Sequence, residues 1–123
     1  VATGDKPIMI VEERIYTLQV GAAAEYLRLY EAEGLAIQRP ILGRLVGYFT
    51  TEIGPLHQIV HLWAYRDMNE RAERRARMGA DDRWKAYIQK IRPLVIKQEN
   101  KILIPARFSP WANDDPTLDM AQQ

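Results

Sequence analysis

The side chains best suited to chemistry fall on segments that read as strands. Glu12, Arg14 and Tyr16 alternate along Ile10 to Leu18, so an extended chain projects them from one face. Tyr48 lies in a second β-rich run, and His61 and Trp63 in a third. A hairpin turn centred on Gly54 and Pro55 puts Tyr48 opposite His61 and Val46 opposite Trp63. Tyr48, His57, His61 and Trp63 then share a face. Joined to the first strand, that face is a polar-aromatic patch. Its Arg14 suits a carboxylate or phosphate, and its His61, with an ordinary pKa of about 6.5, suits proton transfer at neutral pH with Tyr48 to orient it. The binding residues expected are Arg14, Tyr16, Tyr48, His61 and Trp63, with His61 the best catalytic candidate. Val60, Leu62 and Ala64 occupy the other face of the third run and suit packing against helices. The patch is therefore expected to face a dimer partner or a pocket between subunits.

The same residues admit plainer roles. Half-polar faces are common where two sheets meet, so His61 and its neighbours can be interface or structural groups. Arg14 can serve as the ion-pair partner of Glu12, Glu13 or Glu33. His57 and His61 do not chelate one metal from a regular strand, because four residues at about 3.3 Å each hold them about 13 Å apart. No metal site is expected elsewhere either. Arg71, Arg74, Arg75 and Arg77 form a basic run, but Glu70 with Arg74 and Glu73 with Arg77 are i,i+4 pairs. That pattern describes a solvated helix face. It lacks the interleaved aromatics of a nucleic-acid surface. There is also no phosphate-binding glycine loop, nucleophile elbow or dinucleotide fingerprint.

The elements that must position the patch follow from period and punctuation. A strand over Ile10 to Leu18 ends before Gly21. A helix over residues 22–38 then shares Tyr26, Leu27, Tyr30, Gly34 and Ile37 on one face, with Gly34 there for close packing and Pro40 and Gly43 ending it. The hairpin strands run from Arg44 to Thr51 and from Leu56 to Tyr65. Asp67 and Glu70 form a capping box for a second helix, which Gly79 interrupts. Asp81 or Asp82 caps its continuation, Trp84, Ile88 and Ile91 make an apolar stripe, and Pro93 closes it. Gln98 to Pro105 is the fourth strand. The order βαββαβ is the α+β, ferredoxin-like arrangement, with a four-stranded antiparallel sheet, β1 and β3 central and both helices on one face.

A chain of 123 residues with 47% hydrophobic and 27% charged residues is one domain, small enough to gain from burying a further face against a partner. Residues 1–8 read as a flexible leader, 9–110 as the domain and 111–123 as a C-terminal tail, with Phe108 and Trp111 expected to pin the tail to a surface. The absence of cysteine excludes disulfides, thiol nucleophiles and thiolate metal sites, and fits a cytoplasmic location. No apolar run approaches the roughly 20 residues of a membrane span, and a formal charge of +1 gives no overall field for nucleic acid.

Several segments also carry a family likeness: GluArgIleTyrThrLeu at 13–18 followed by Gly21, GluGlyLeu at 33–35, the stretch from Leu42 to Tyr65, IleArgProLeu at 91–94 and IleLeuIlePro at 102–105. The chain resembles the NIPSNAP family from about Met9 to Pro110. The resemblance implies a dimeric α+β barrel in which two four-stranded sheets face each other across a two-fold axis. Family members outside bacteria are linked to mitochondria and vesicles. The related barrels span cofactor-independent monooxygenases, haem-degrading enzymes and lactone isomerases, so the fold does not transfer a reaction. The reading is a homodimeric small-molecule-binding protein, with or without metal-independent catalysis and with no cofactor specified. The alternative is a non-catalytic protein–protein interaction module.

Overall fold

In a computed structural model, residues 9–110 are described. The predicted leader and tail, and with them Trp111, lie outside these residues. Strand β1 (Ile10–Leu18) leads through the turn at Gly21 into α1 (Ala23–Leu29), a single π-helical turn (Tyr30–Gly34) and α2 (Leu35–Leu42). The hairpin strands β2 (Arg44–Thr50) and β3 (Gln58–Tyr65) follow, then α3 (Met68–Ala80), α4 (Asp82–Ile91), a short 3-10 turn (Arg92–Leu94) and β4 (Val95–Leu103). The sheet order is β2-β3-β1-β4, with every neighbouring pair antiparallel. This is the ferredoxin-like α+β fold expected from the element order.

Local chemistry accounts for the boundaries. The first helical segment continues past Pro40, which lies inside α2, and stops at Gly43, whose φ of 98° favours glycine. The π turn inserts one residue before Gly34, a device that shifts which side chains face the core. Gly34 provides close approach, but to α4 and not to the sheet as expected: a Cβ there would lie 2.6 Å from the Tyr87 ring. Asp67 caps α3 by accepting from the Glu70 amide, while Glu70 reaches back to the Arg66 amide, one residue earlier than a standard capping box. Gly79 stays within α3. The break falls at Asp81, whose carboxylate accepts from the amides of Arg83 and Trp84. Within α4 the fully buried ring is Tyr87, which the expected Trp84, Ile88, Ile91 stripe omits. β4 begins at Val95, three residues before the expected start. Phe108, expected to pin the tail, is instead 93% exposed.

Two faces of the sheet differ. On one, Ile10, Tyr16, Leu18, Ile59, Trp63 and Tyr65 pack with Tyr26, Tyr30, Leu42, Met78, Tyr87 and Ile91 of the helical layer. On the other, Met9, Val11 and Ala64 cluster with Val46 and Leu62, and no helix residue joins them.

Candidate functional site: the helix-covered face of the sheet

Register brings the expected residues together. Arg14 pairs with His61 across β1 and β3, and Tyr48 pairs with His61 across β2 and β3, so His61 sits between them. Tyr16 meets the His61 ring edge-on at 4.9 Å and Tyr48 stacks on it at 4.5 Å, while Arg14 lies 5.5 Å over the Tyr16 ring. All five predicted residues thus share one face. That face lies under the helices. The expected orientation is reversed, and Val60 and Leu62 occupy the open side. The reason is size and polarity together: the six aromatic rings of Tyr16, Tyr26, Tyr30, Tyr48, Trp63 and Tyr87 need a thick layer, which the helices supply, and the charges among them are paired. Two details of the hairpin also differ. Leu45, not Val46, opposes Trp63, because a bulge between Leu45 and Gly47 shifts the register. His57 leaves the patch: it lies in the loop at φ 65°, and its Nδ1 accepts from the Gly21 amide at 3.3 Å.

His61 is 1% exposed and its protonation is defined by its partner. Trp63 Nε1–H donates to His61 Nδ1 at 2.7 Å, and an indole only donates, so the neutral imidazole carries its proton on Nε2. Burial, aided by the nearby Arg14 charge, lowers the His61 pKa to about 3. At neutral pH this histidine is a hydrogen-bond donor, not the poised acid or base that its ordinary pKa suggested. Its buried Nε2 has no hydrogen-bond partner. Tyr48 orients the ring by stacking; its hydroxyl pairs with that of Tyr26 at 3.0 Å.

Below this cluster lies a charge network centred on Glu12, which is fully buried. Arg71 forks onto it through Nε and Nη2 at 2.9 Å each, Arg14 Nη1 donates at 2.8 Å, and Asn100 Nδ2 donates at 2.8 Å. Desolvation alone would raise the Glu12 pKa; the bonds from Arg71 and Asn100 and the charges of Arg14 and Arg75 outweigh it and hold the pKa at about 2. Of the pairings considered for Arg14, Glu12 is the one formed, whereas Glu13 meets Lys101 and Glu33 meets Lys90.

Arg71 and Arg75 were missed as site residues because the i,i+4 pairs around them describe a solvated face. Those pairs exist, Glu70 with Arg74 at 3.3 Å and Glu73 with Arg77 at 4.0 Å. The signal was the stripe Arg71, Arg75, Met78 at i, i+4 and i+7, which places two guanidiniums on the side that buries Met78.

Between this stripe, α4 and the β1–β4 half of the sheet lies a cavity of about 450 Å³, lined by Arg14, Tyr16, Gln38, Arg75, Trp84 and Ile88 among others. Of the five predicted residues, Arg14 and Tyr16 line it; Tyr48, His61 and Trp63 form the layer beside it. Arg75 Nη1 is buried without a hydrogen-bond partner, and so is Tyr65 Oη. The Tyr65 phenol is pushed up to about 12 by burial and by the Glu12 charge, against the opposing charge of Arg75, whose guanidinium lies close to the phenol without a well-formed hydrogen bond. Among the described residues no group of three His, Asp or Glu is placed to hold a metal, and no helix is long and apolar enough to cross a membrane.

Known proteins similar to this chain are recognisable at two distances. An uncharacterised NIPSNAP-like domain protein from Burkholderia xenovorans is 52% identical, with a TM-score of 0.83 over 90% of this chain and 98% of that one. A NIPSNAP family protein from Agrobacterium tumefaciens is 53% identical, with a TM-score of 0.82 over 85% and 94%. Human NipSnap homolog 2 is 33% identical across 82% of this chain, which spans only 35% of that protein; a relative from Caenorhabditis elegans is spanned to 19%. At 8% identity and a TM-score of 0.61, a candidate antibiotic biosynthesis monooxygenase from Nitrosomonas europaea shares the fold alone. The NIPSNAP family model matches residues 11–110, essentially the whole described domain, with the buried Glu12 network, the hairpin and the helical layer inside it. The chain belongs to the NIPSNAP family.

Proposed function

We propose that the protein is a homodimeric small-molecule-binding protein whose ligand occupies the cavity between the helical layer and the sheet. The observation that carries this reading is a roomy cavity whose wall holds a buried donor that the protein leaves unused, Arg75 Nη1. Such a group costs about 1–3 kcal/mol when nothing accepts from it, so a ligand that does accept recovers that cost. The reading sets the site on Arg14 and Tyr16 at the wall, with Tyr48, His61 and Trp63 fixing the wall's shape. Any catalysis there is metal-independent.

Dimerisation through the sheet belongs to the same reading. All helices cover one face, and the other carries Val11, Val46 and Leu62, with Phe49 beside them 54% exposed. A cytoplasmic location fits a chain without cysteine. The decisive experiment is a thermal-shift screen of small metabolites against wild type and Tyr16→Phe/Arg14→Met. A ligand at 100 times its dissociation constant adds about 2.7 kcal/mol, a shift of several degrees, and the variant should lose it. A screen without hits, or hits indifferent to these substitutions, rejects the site.

One feature favours an interaction module instead. The hairpin tip exposes Ile53 by 92% and Leu56 by 56%, and Val20 beside it by 86%. The Leu18 amide donates to the His57 carbonyl at 2.8 Å, which holds these apolar side chains on one end of the domain. A protein partner seated there, with no small-molecule hit, would support that alternative.

A further inference from the structure

We infer that the ligand is a small organic acid whose anionic head, carboxylate or phosphate, is received by Arg75. This rests on the cavity reading above and gives it a ligand class. Buried charges in this protein are paired with care; among the described residues two buried guanidinium nitrogens, Arg39 Nε and Arg75 Nη1, lack a hydrogen-bond partner, and of the two arginines Arg75 lines the cavity. One carboxylate, Glu12, stands against three guanidiniums: Arg14 and Arg71 bond to it, and Arg75 acts on it only through its field. Arg75 is half-buried, but a guanidinium nitrogen buried without an acceptor is costly, and an anion entering the cavity supplies one. The lining favours that sign. Arg14, Arg75, Arg92 and Lys97 all border the cavity, and no Asp or Glu among the described residues does. Lys97 is engaged by Glu99 at 3.6 Å, which leaves Arg75 and Arg92 as lining cations with no carboxylate partner among the described residues.

Arg75 also suits an oxyanion head group. Its Nη1 is buried and unpartnered, and a guanidinium presents paired N–H groups that match a carboxylate or phosphate. The remaining wall sets the other half of the ligand. Met78, Trp84, Ile88 and Ile91 are apolar and line the same space, so an acid with a hydrophobic body fits better than a bare ion.

The test titrates the full chain with octanoate, octyl phosphate, 1-octanol and inorganic phosphate, followed by Trp fluorescence and calorimetry. Octanoate or octyl phosphate should bind saturably and at least about tenfold more tightly than 1-octanol, with the stronger of the two naming the head group. Inorganic phosphate should bind more weakly than either. Arg75→Met should weaken the favoured acid about tenfold or more, Arg75→Lys should restore part of it, and Arg77→Met, on the exposed side of α3, should change nothing. Thermal melts of the free protein keep the variant informative: Arg75→Met loses only the field that Arg75 exerts on Glu12, so it should melt within a few degrees of wild type, whereas an arginine bonded into the fold would lower the melt much further. The inference fails if 1-octanol binds as tightly as the acids, if Arg75→Met binds them unchanged, or if none of the four probes binds. Binding that ignores charge would still leave the cavity reading standing; that reading falls only if the metabolite screen is blank as well.

Discussion

The two faces of the sheet have opposite chemistry and opposite fates. Glu12, Arg14, Tyr16 and His61 lie beneath helices, while Val11, Val46 and Leu62 lie on the side that no helix covers. Polarity is thus no guide to exposure in this domain. A charged face can be buried when each charge meets another and the rings around it are large, and an apolar face can go without a helix cover, with Val11 and Ala64 still buried on it and Phe49 54% exposed. Adjacent residues make the sharpest contrast. Glu12 and Glu13 share a strand and a side chain, yet Glu12 is fully buried under two arginines and Glu13 meets only a well-exposed Lys101 at 3.8 Å. Glu12→Ala should strand Arg14 and Arg71 and cost about 3–5 kcal/mol, whereas Glu13→Ala should cost under about 1 kcal/mol. Urea denaturation of both variants checks this. Equal losses would mean that the two faces do not differ as described.

Acid separates the faces next, because the perturbed buried groups lie on one of them. His61 has its pKa lowered to about 3, so between its unfolded value near 6.5 and that figure the unfolded chain binds a proton that the native protein refuses. Stability from this group is complete above about pH 6.5 and declines as pH falls through that window, by up to about 1.4 kcal/mol per pH unit. Glu12, with a pKa near 2, extends the loss from about 4.5 downward, since its carboxylate must be protonated against two arginines. The expected result is a urea midpoint that already falls between pH 7 and pH 5. His61→Gln should remove most of that early slope and leave the later one. A flat midpoint down to pH 5 in wild type would show that His61 is not held neutral by burial.

The element order, the pairing of β1 with β3 and the Tyr48–His61 register were all legible, because strand period, capping residues and turn glycines are local signals. The five site residues were legible as one cluster for the same reason. What was not legible was which side of the sheet they faced. Alternation assigns residues to faces but does not say which face the helices choose, and Val60, Leu62 and Ala64 look more like a helix-packing surface than His61 and Trp63 do. The π turn, the bulge at Leu45–Gly47 and the inward arginines of α3 were also invisible, since each is decided by tertiary packing against Tyr87, Trp63 and Glu12.

The open face provides the subtlest test, because the effect there is on association more than on the fold. Leu62 sits in the middle of β3, next to Glu13 on one side and Gly47 on the other, in the cluster that contains no helix residue. Leu62→Lys places a charge where a second sheet would lie. If two copies meet through this face, light scattering should change from dimer to monomer, since an unpaired charge at the centre of an apolar interface costs several kcal/mol. Within one subunit the same charge remains wet, so helical circular dichroism should be kept and the intrinsic stability should change by only about 1 kcal/mol. A wild-type protein that scatters as a monomer would overturn the pairing of sheets. A Leu62→Lys variant that stays dimeric would move the interface elsewhere, with the apolar hairpin tip at Ile53 and Leu56 the next surface to substitute. Either result would leave the buried face, with its cavity and the unbonded Nη1 of Arg75, to be judged on its own measurements.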